Sequence, residues 1–350
     1  MRGFMRRIWW VLVVVAALGG GLAVFSCSSL GGEGGGGSNL PNRGITPYVP
    51  VELDEAGSAV VLPDGDGEGL LREPAAVDFG GVVLLYVERR DVADLGAATG
   101  QIQHADSDDG GLTWTPLTPT LTPADVPFAL RRVGAPSVIL VRGTYHMVFA
   151  VDDGRAIGYA TSADGHAFVA HPTPLLTPEG DAEALGVDSP SIVADGDRFL
   201  VFYGATRAGD DGKPRTSVAR ASFASPDAVE RQGVVFEPGT GCLDAFGAEV
   251  ACWDADTLAA PEVRAASTRG GRRVFRLFYA GRRGNNTALG FAASWDGASF
   301  ERFAFNPVLE GGPAEPTNIL SLDRYLLLYV DRAGGIALAI DDSGQPAERF

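Results

Sequence analysis

Five times along the chain, a proline preceded by a small or acidic residue opens a short apolar run. The copies are "REPAAV" at Pro74, "GAPSVI" at Pro136, "DSPSIV" at Pro190, "AAPEVR" at Pro261 and "EPTNIL" at Pro316, at intervals of 62, 54, 71 and 55 residues. Behind each comes a second apolar run: "VVLLYV", "YHMVFA", "RFLVFY", "FRLFYA" and "YLLLYV". An aromatic sits near the end of each, at Tyr86, Phe149, Tyr203, Tyr279 and Tyr329. Third runs such as "AIGYATS" and "ALGFAAS" follow, and then fourth ones that end alike as "TPLLTP", "GVVFEP" and "NPVL". Four short strands per unit, repeated along the chain, is the pattern of β-propeller blades. The 47 glycines and 22 prolines agree, because both punctuate short strands and neither suits long helices.

The expected fold is therefore all-β: a five-bladed propeller of four-stranded blades spanning residues 45–350. The fifth unit leaves little room for a fourth strand before Phe350, whereas "GSAVVLP" (57–63) precedes the first unit with no strands of its own. The N-terminal strand is expected to complete the last blade, closing the ring and removing exposed edges.

Between third and fourth strands a turn motif recurs, as "SDDGGLTW" (107–114), "SADGHAF" (162–168) and "SWDGASF" (294–300). It resembles the Asp-box of sialidases and other propellers. In that motif the Asp holds the turn's own amides, Gly takes a positive φ and the aromatic packs beneath. Asp109 is read as structural.

The innermost strands of a propeller line its central funnel, so acids near the prolines converge there. They are Glu73, Asp188, Glu262 and Glu315, with Asp256 just ahead of the fourth unit. Their mutual repulsion is expected to raise some of their pKa values. Glycoside hydrolysis needs such a set, with one carboxylic acid to protonate the leaving oxygen and one carboxylate to activate water or attack. Solvated strand ends carry the same residues without chemistry, so the residues alone leave both uses open.

The five units, the "SxDGxxF…NPVL" phrasing and the Pro-marked inner strands resemble the five-bladed propellers of glycoside hydrolase family 43 and its relatives in families 32, 62, 68 and 130. The resemblance implies a general base before the first-unit proline, where this chain has Glu73 in place of Asp. It implies a pKa-tuning Asp at Asp188, with one residue inserted before Pro190. The family's general acid stands two residues before the fourth-unit proline, where this chain has Ala259. Glu262, Asp256 and Asp254 are the candidates to replace it. Arg72, Glu315 and Trp253 are candidate substrate contacts, Trp253 either stacking on a sugar or pinning its loop. A non-catalytic glycan- or protein-binding role on the same face is the rival reading. A sialidase-type enzyme fits less well, since that requires six blades and an Arg triad. No cofactor is implied. His104, His146, His166 and His171 show no ligand spacing, so no metal site is expected.

The N-terminus reads as an export signal. Arg2, Arg6 and Arg7 precede an apolar run from Ile8 to Phe25. The following "VFSCSS" resembles the lipobox of bacterial lipoproteins, which implies a signal at 1–26, lipid on Cys27 and a Gly-rich linker at 27–44. The expected location is the cell envelope of a bacterium, as a monomer anchored in the outer membrane or at the cell surface. Cys242 and Cys252 then remain as one pair, expected to form a disulfide in an oxidising compartment. A formal charge of −16 argues against nucleic acid as a partner. Replacing Cys27 with Ser is expected to abolish lipid labelling and signal removal by the lipoprotein route, as read by fatty-acid incorporation and the mass of the mature chain.

Overall fold

The computed structural model describes residues 48–50, 60–63, 69–91, 99–243, 248–267, 271–303, 306–321, 324–332 and 334–341. The expected signal, Cys27 and the Gly-rich linker lie outside these. No helix among the described residues is long and apolar enough to cross a membrane.

The chain is a succession of antiparallel four-strand meanders. The first runs Leu70–Phe79, Val82–Arg90, Gly100–Ser107 and Thr118–Leu121, and the second runs Val133–Val141, Thr144–Val151, Ala156–Ser162 and Val169–Ala170. The third comprises Gly186–Asp195, Arg198–Ala208, Pro214–Ser225 and Ala228–Phe236. The fourth comprises Thr257–Ser267, Arg273–Arg283, Asn286–Ser294 and Glu301–Arg302. A single parallel pair, Thr216 with Thr257, joins the third and fourth into one eight-stranded sheet. The last sheet holds Ala314–Ser321, Arg324–Val330 and Ile336–Asp341. Its outer edge is taken by the N-terminal strands Tyr48–Pro50 and Val60–Leu62, both antiparallel to Ile336–Asp341, with Val60 opposite Ala337. The N-terminal strand thus completes the last sheet, as its sequence position led one to expect.

Packing between sheets follows from the second strands, which are apolar on both faces. Tyr86, Phe149, Tyr203 and Tyr279 are each fully buried there. Apolar clusters join first to second, second to third, third to fourth and fourth to last sheet. A further cluster joins Leu71, Val83, Leu85 and Val87 of the first to Leu328, Ile336 and Leu338 of the last, so the order of sheets returns on itself. The arrangement is that of a β-propeller.

The recurrent turns are held from within. Asp109 accepts hydrogen bonds from the amides of Leu112 and Thr113 and from the hydroxyls of Ser107 and Thr113, at 2.6–3.0 Å. Those bonds, led by the Thr113 hydroxyl, lower its pKa to about 2. Asp164 and Asp296 repeat the pattern, each accepting from the Ser two residues before it and from two amides. Phe168 and Phe300 pack into the clusters beneath, and Tyr86 donates 2.7 Å to the Gly165 carbonyl of the next unit's turn.

Innermost strands share one irregularity. The residue before each proline has a positive φ without being glycine: Glu73 (46°), Ala135 (46°), Ser189 (47°), Ala260 (45°) and Glu315 (51°). Strand register shifts at the same places, between Arg72 and Ala75, Gly134 and Ser137, Asp188 and Ser191, Ala259 and Glu262, and Ala314 and Thr317. Proline has no N–H to give a ladder, and a bulge is where a strand tolerates it. Each bulge carries its residue out of the ladder and toward the common axis.

Removing residues 45–63 is expected to lower the melting temperature of the whole domain by at least about 5 °C, since it strips the outer partners of Ile336–Asp341. Circular dichroism melts of the two proteins check this.

Candidate functional site

The bulges meet at the axis. They line a depression formed by Glu73, Pro74, Ala135, Pro136, Ser189, Pro190, Ala260, Pro261, Glu262, Glu315 and Pro316. Of the acids expected there, Glu73, Glu262 and Glu315 line it, and Asp188 adjoins it through Ser189.

Glu73 has only weak support. Its Oε1 accepts from the Ser189 hydroxyl at 3.2 Å. Its pKa is pushed well up, first by burial and then by the negative charges of Glu315 and Asp188, against a smaller pull from Arg132. Asp188 accepts the Ser189 amide at 2.8 Å and lies 3.7 Å from Arg132 Nη1. Its side chain keeps 36% of its surface accessible. Desolvation by the protein packed around it nevertheless pushes its pKa up, opposed by Arg132. These two are the acids of the channel whose proton affinity is raised.

The other acids are committed. Glu315 is ion-paired with Arg72, whose Nε lies 2.8 and 2.9 Å from its two oxygens, and it also accepts the Glu73 amide at 2.8 Å. Glu262 is buried, with Arg264 Nε at 2.6 Å and the hydroxyls of Thr317 and Ser191 at 3.2 and 3.3 Å. Asp256 lies outside the lining. The Gly284 amide at 2.7 Å and the Arg215 guanidinium lower its pKa. Asp254 is fully buried, accepting from Arg302 at 2.8 Å and Tyr279 at 3.0 Å. Held this way, Asp256 is poorly suited to store and release a proton.

Cys242 and Cys252 are disulfide-bonded, with Cα atoms 5.2 Å apart, as expected. Trp253 beside them stacks on Tyr279, with centroids 5.7 Å apart at 22°, and covers Gly281 and Gly290. Its indole pins this loop onto the fourth sheet and stands outside the channel lining.

Two residues central to the electrostatics were not singled out in the sequence. Glu88 is fully buried and bound by Arg132 through two bonds of 2.7 Å, with Arg90 at 2.8 Å. Burial alone would raise its pKa, but the two guanidiniums outweigh it and the net shift is downward. Arg132 Nη1 has no hydrogen-bond partner among the described residues and faces Asp153 and Asp188 at 3.3 and 3.7 Å. Space for the pair comes from Gly134 and Gly100, where a Cβ would fall 2.1 and 2.9 Å from Glu88 oxygens. One signal was available. Glu88 stands two residues after the second-strand aromatic, where the next three units have Val151, Ala205 and Gly281.

No family model matches the sequence. No curated protein matches it either. Solved structures do resemble it in fold. One described as a glycoside hydrolase superposes with a TM-score of 0.63 at 17% identity, over 89% of this chain and 96% of its own. Another, from work on β-1,2-mannoside-targeting hydrolases of the GH130 family, gives 0.62 at 16% over 89% and 98%. A thermostable family-43 glycoside hydrolase gives 0.57 at 15% over 80% and 90%. The fold is that of the glycoside hydrolase propellers.

A carboxyl whose folded pKa is raised contributes stability below its unfolded pKa and loses it as pH rises through the folded value. Glu73→Gln is therefore expected to melt above the wild type at pH 7–8, with the difference closing towards pH 4. Parallel melts across that range are the check.

Proposed function

We propose that the chain is a five-bladed β-propeller glycosidase, hydrolysing a glycosidic bond of a carbohydrate at the axial depression. The observation that carries this is the pairing of Glu73 and Asp188, both raised in pKa, beside one Ser189. Two crowded carboxyls, one to donate a proton and one to act as carboxylate, are what the reaction requires. Glu73, buried and facing the charges of Glu315 and Asp188, is the proton donor to the leaving oxygen, rather than the base that its family position implies. Asp188, with Arg132 favouring its ionised form, is the carboxylate that activates water or attacks. Glu262 and Glu315, fixed by Arg264 and Arg72, shape the floor and set its negative potential. The fold likeness to glycoside hydrolases supports a carbohydrate as the ligand. The Arg-led apolar N-terminus, the "VFSCSS" segment and the disulfide support an exported, lipid-anchored monomer.

A second reading rests on the fourth unit. Ala259 stands where the hydrolase families place their acid, and a propeller that binds glycan without cleaving it would need none there.

Hydrolysis of aryl glycosides and of plant or microbial polysaccharides separates the two. Glu73→Gln and Asp188→Asn are each expected to lower kcat/KM by about 10²–10⁴ while folding is kept. Asp109→Asn should lower the melting temperature and leave turnover per folded molecule unchanged. Rates unaffected by Glu73→Gln would overturn the assignment, and saturable glycan binding with no cleavage would establish the second reading.

A further inference from the structure

We propose that His104, Asp106 and His166 bind a divalent transition-metal ion of the zinc class, which ties the first sheet to the turn of the second. One nitrogen from each imidazole and one carboxylate oxygen lie within 4.8 Å of one another. His104 and Asp106 are two apart on the strand Gly100–Ser107, so they share a face. His166 comes from the turn between third and fourth strands of the next unit. Its ring centroid is 4.6 Å from that of His104, and its Nε2 is 3.3 Å from Asp106 Oδ2. Tetrahedral bonds of about 2.0–2.1 Å place neighbouring ligand atoms about 3.3–3.4 Å apart.

The repeat supplies an independent argument. His104 pairs with Tyr86, and the residues paired with the matching aromatics are Gly158, Ala219, Gly290 and Ala337. Asp106 pairs with Leu84, and its counterparts are Ala160, Ala221, Ala292 and Ala339. Four units thus carry two small residues where the sheet meets its neighbour, and the first alone carries His and Asp. The turn residue His166 has Ala298 as its counterpart in the fourth unit. Three departures from the repeat converge on one point.

Local polar contacts fit a ligand role. His104 Nδ1 is 2.6 Å from the Thr120 hydroxyl, which orients the ring. Asp106 Oδ1 is buried and has no hydrogen-bond partner among the described residues. A plain ion pair between His166 and Asp106 would leave that oxygen and the second imidazole unexplained. Two imidazoles and one carboxylate suit zinc, cobalt or nickel better than calcium or magnesium. His166 is 43% exposed, so the fourth position opens to water. These ligands sit on a third strand and an outer turn, apart from the inner strands that carry the channel acids.

The test uses untagged protein stripped with chelator and titrated with Zn²⁺ at pH 7.5 by calorimetry, with Co²⁺ absorption as a second readout. One ion per chain, a raised melting temperature and a tetrahedral cobalt spectrum are expected. His104→Ala, Asp106→Ala and His166→Ala restore the small residues of other units or truncate an exposed turn. Each is expected to weaken binding at least about 100-fold, with metal-free melting close to that of metal-free wild type. His146→Ala should bind as the wild type does. Less than a tenth of an ion bound per chain, or binding unchanged in both His104→Ala and His166→Ala, would overturn the proposal.

Discussion

In each innermost strand the residue that faces the axis is also the one held in the left-handed region before a proline. That conformation is uncommon for any residue with a Cβ, and it disfavours branching at that carbon. The occupants obey this: two Glu, two Ala and a Ser. Because the bulge removes one residue from the ladder in every unit, the inner strands turn their side chains to a shared point without losing the pairing above and below. Architecture and chemistry are therefore written at the same positions. Glu73 and Glu315 stand outside the ladder at the bulge, where Glu315 accepts the Glu73 amide and pairs with Arg72.

That field is organised by a buried charge pair. Glu88 and Arg132 satisfy each other through two parallel bonds, and glycines at 100 and 134 make the room. Buried ion pairs of this kind add little net stability, because desolvation offsets most of the attraction. Their effect here is local. Glu88 fixes the guanidinium so that its free nitrogen points to Asp153 and Asp188, giving one of the two raised carboxyls a cationic neighbour and leaving Glu73 with a weaker share. An asymmetric potential is imposed on two otherwise similar acids.

The strands, their grouping, the inward prolines and the self-held turns were legible because each is a local pattern repeated at regular spacing. The closing role of Val60–Leu62 was legible by subtraction, from a unit short of one strand. The partners of the acids were not. Arg264 for Glu262 is close in sequence, but Arg215 for Asp256, Arg72 for Glu315 and Arg132 for Glu88 come from other strands or other units, and no spacing announces them. Histidines 104 and 166 looked scattered for the same reason: 62 residues separate them along the chain, yet adjacent sheets bring the rings together. Comparing each position with its counterparts in the other units recovers much of this. His104 and Asp106 replace small residues in all four other units, and Glu88 replaces small or apolar ones in three, the last unit having Asp331.

The seam at Ile336–Asp341 has a temporal side. During synthesis Val60 emerges before the first four sheets and its partner Ala337 only after them. Each earlier meander can pair within itself as it appears, from contacts close in sequence. The strand Val60–Leu62 must wait, its hydrogen-bonding edge unoccupied, until the four intervening meanders are made. Such a long-range contact is slow to form, and a waiting edge invites pairing with other chains. The order of synthesis thus makes this final pairing the step at which assembly of the ring is most exposed to error.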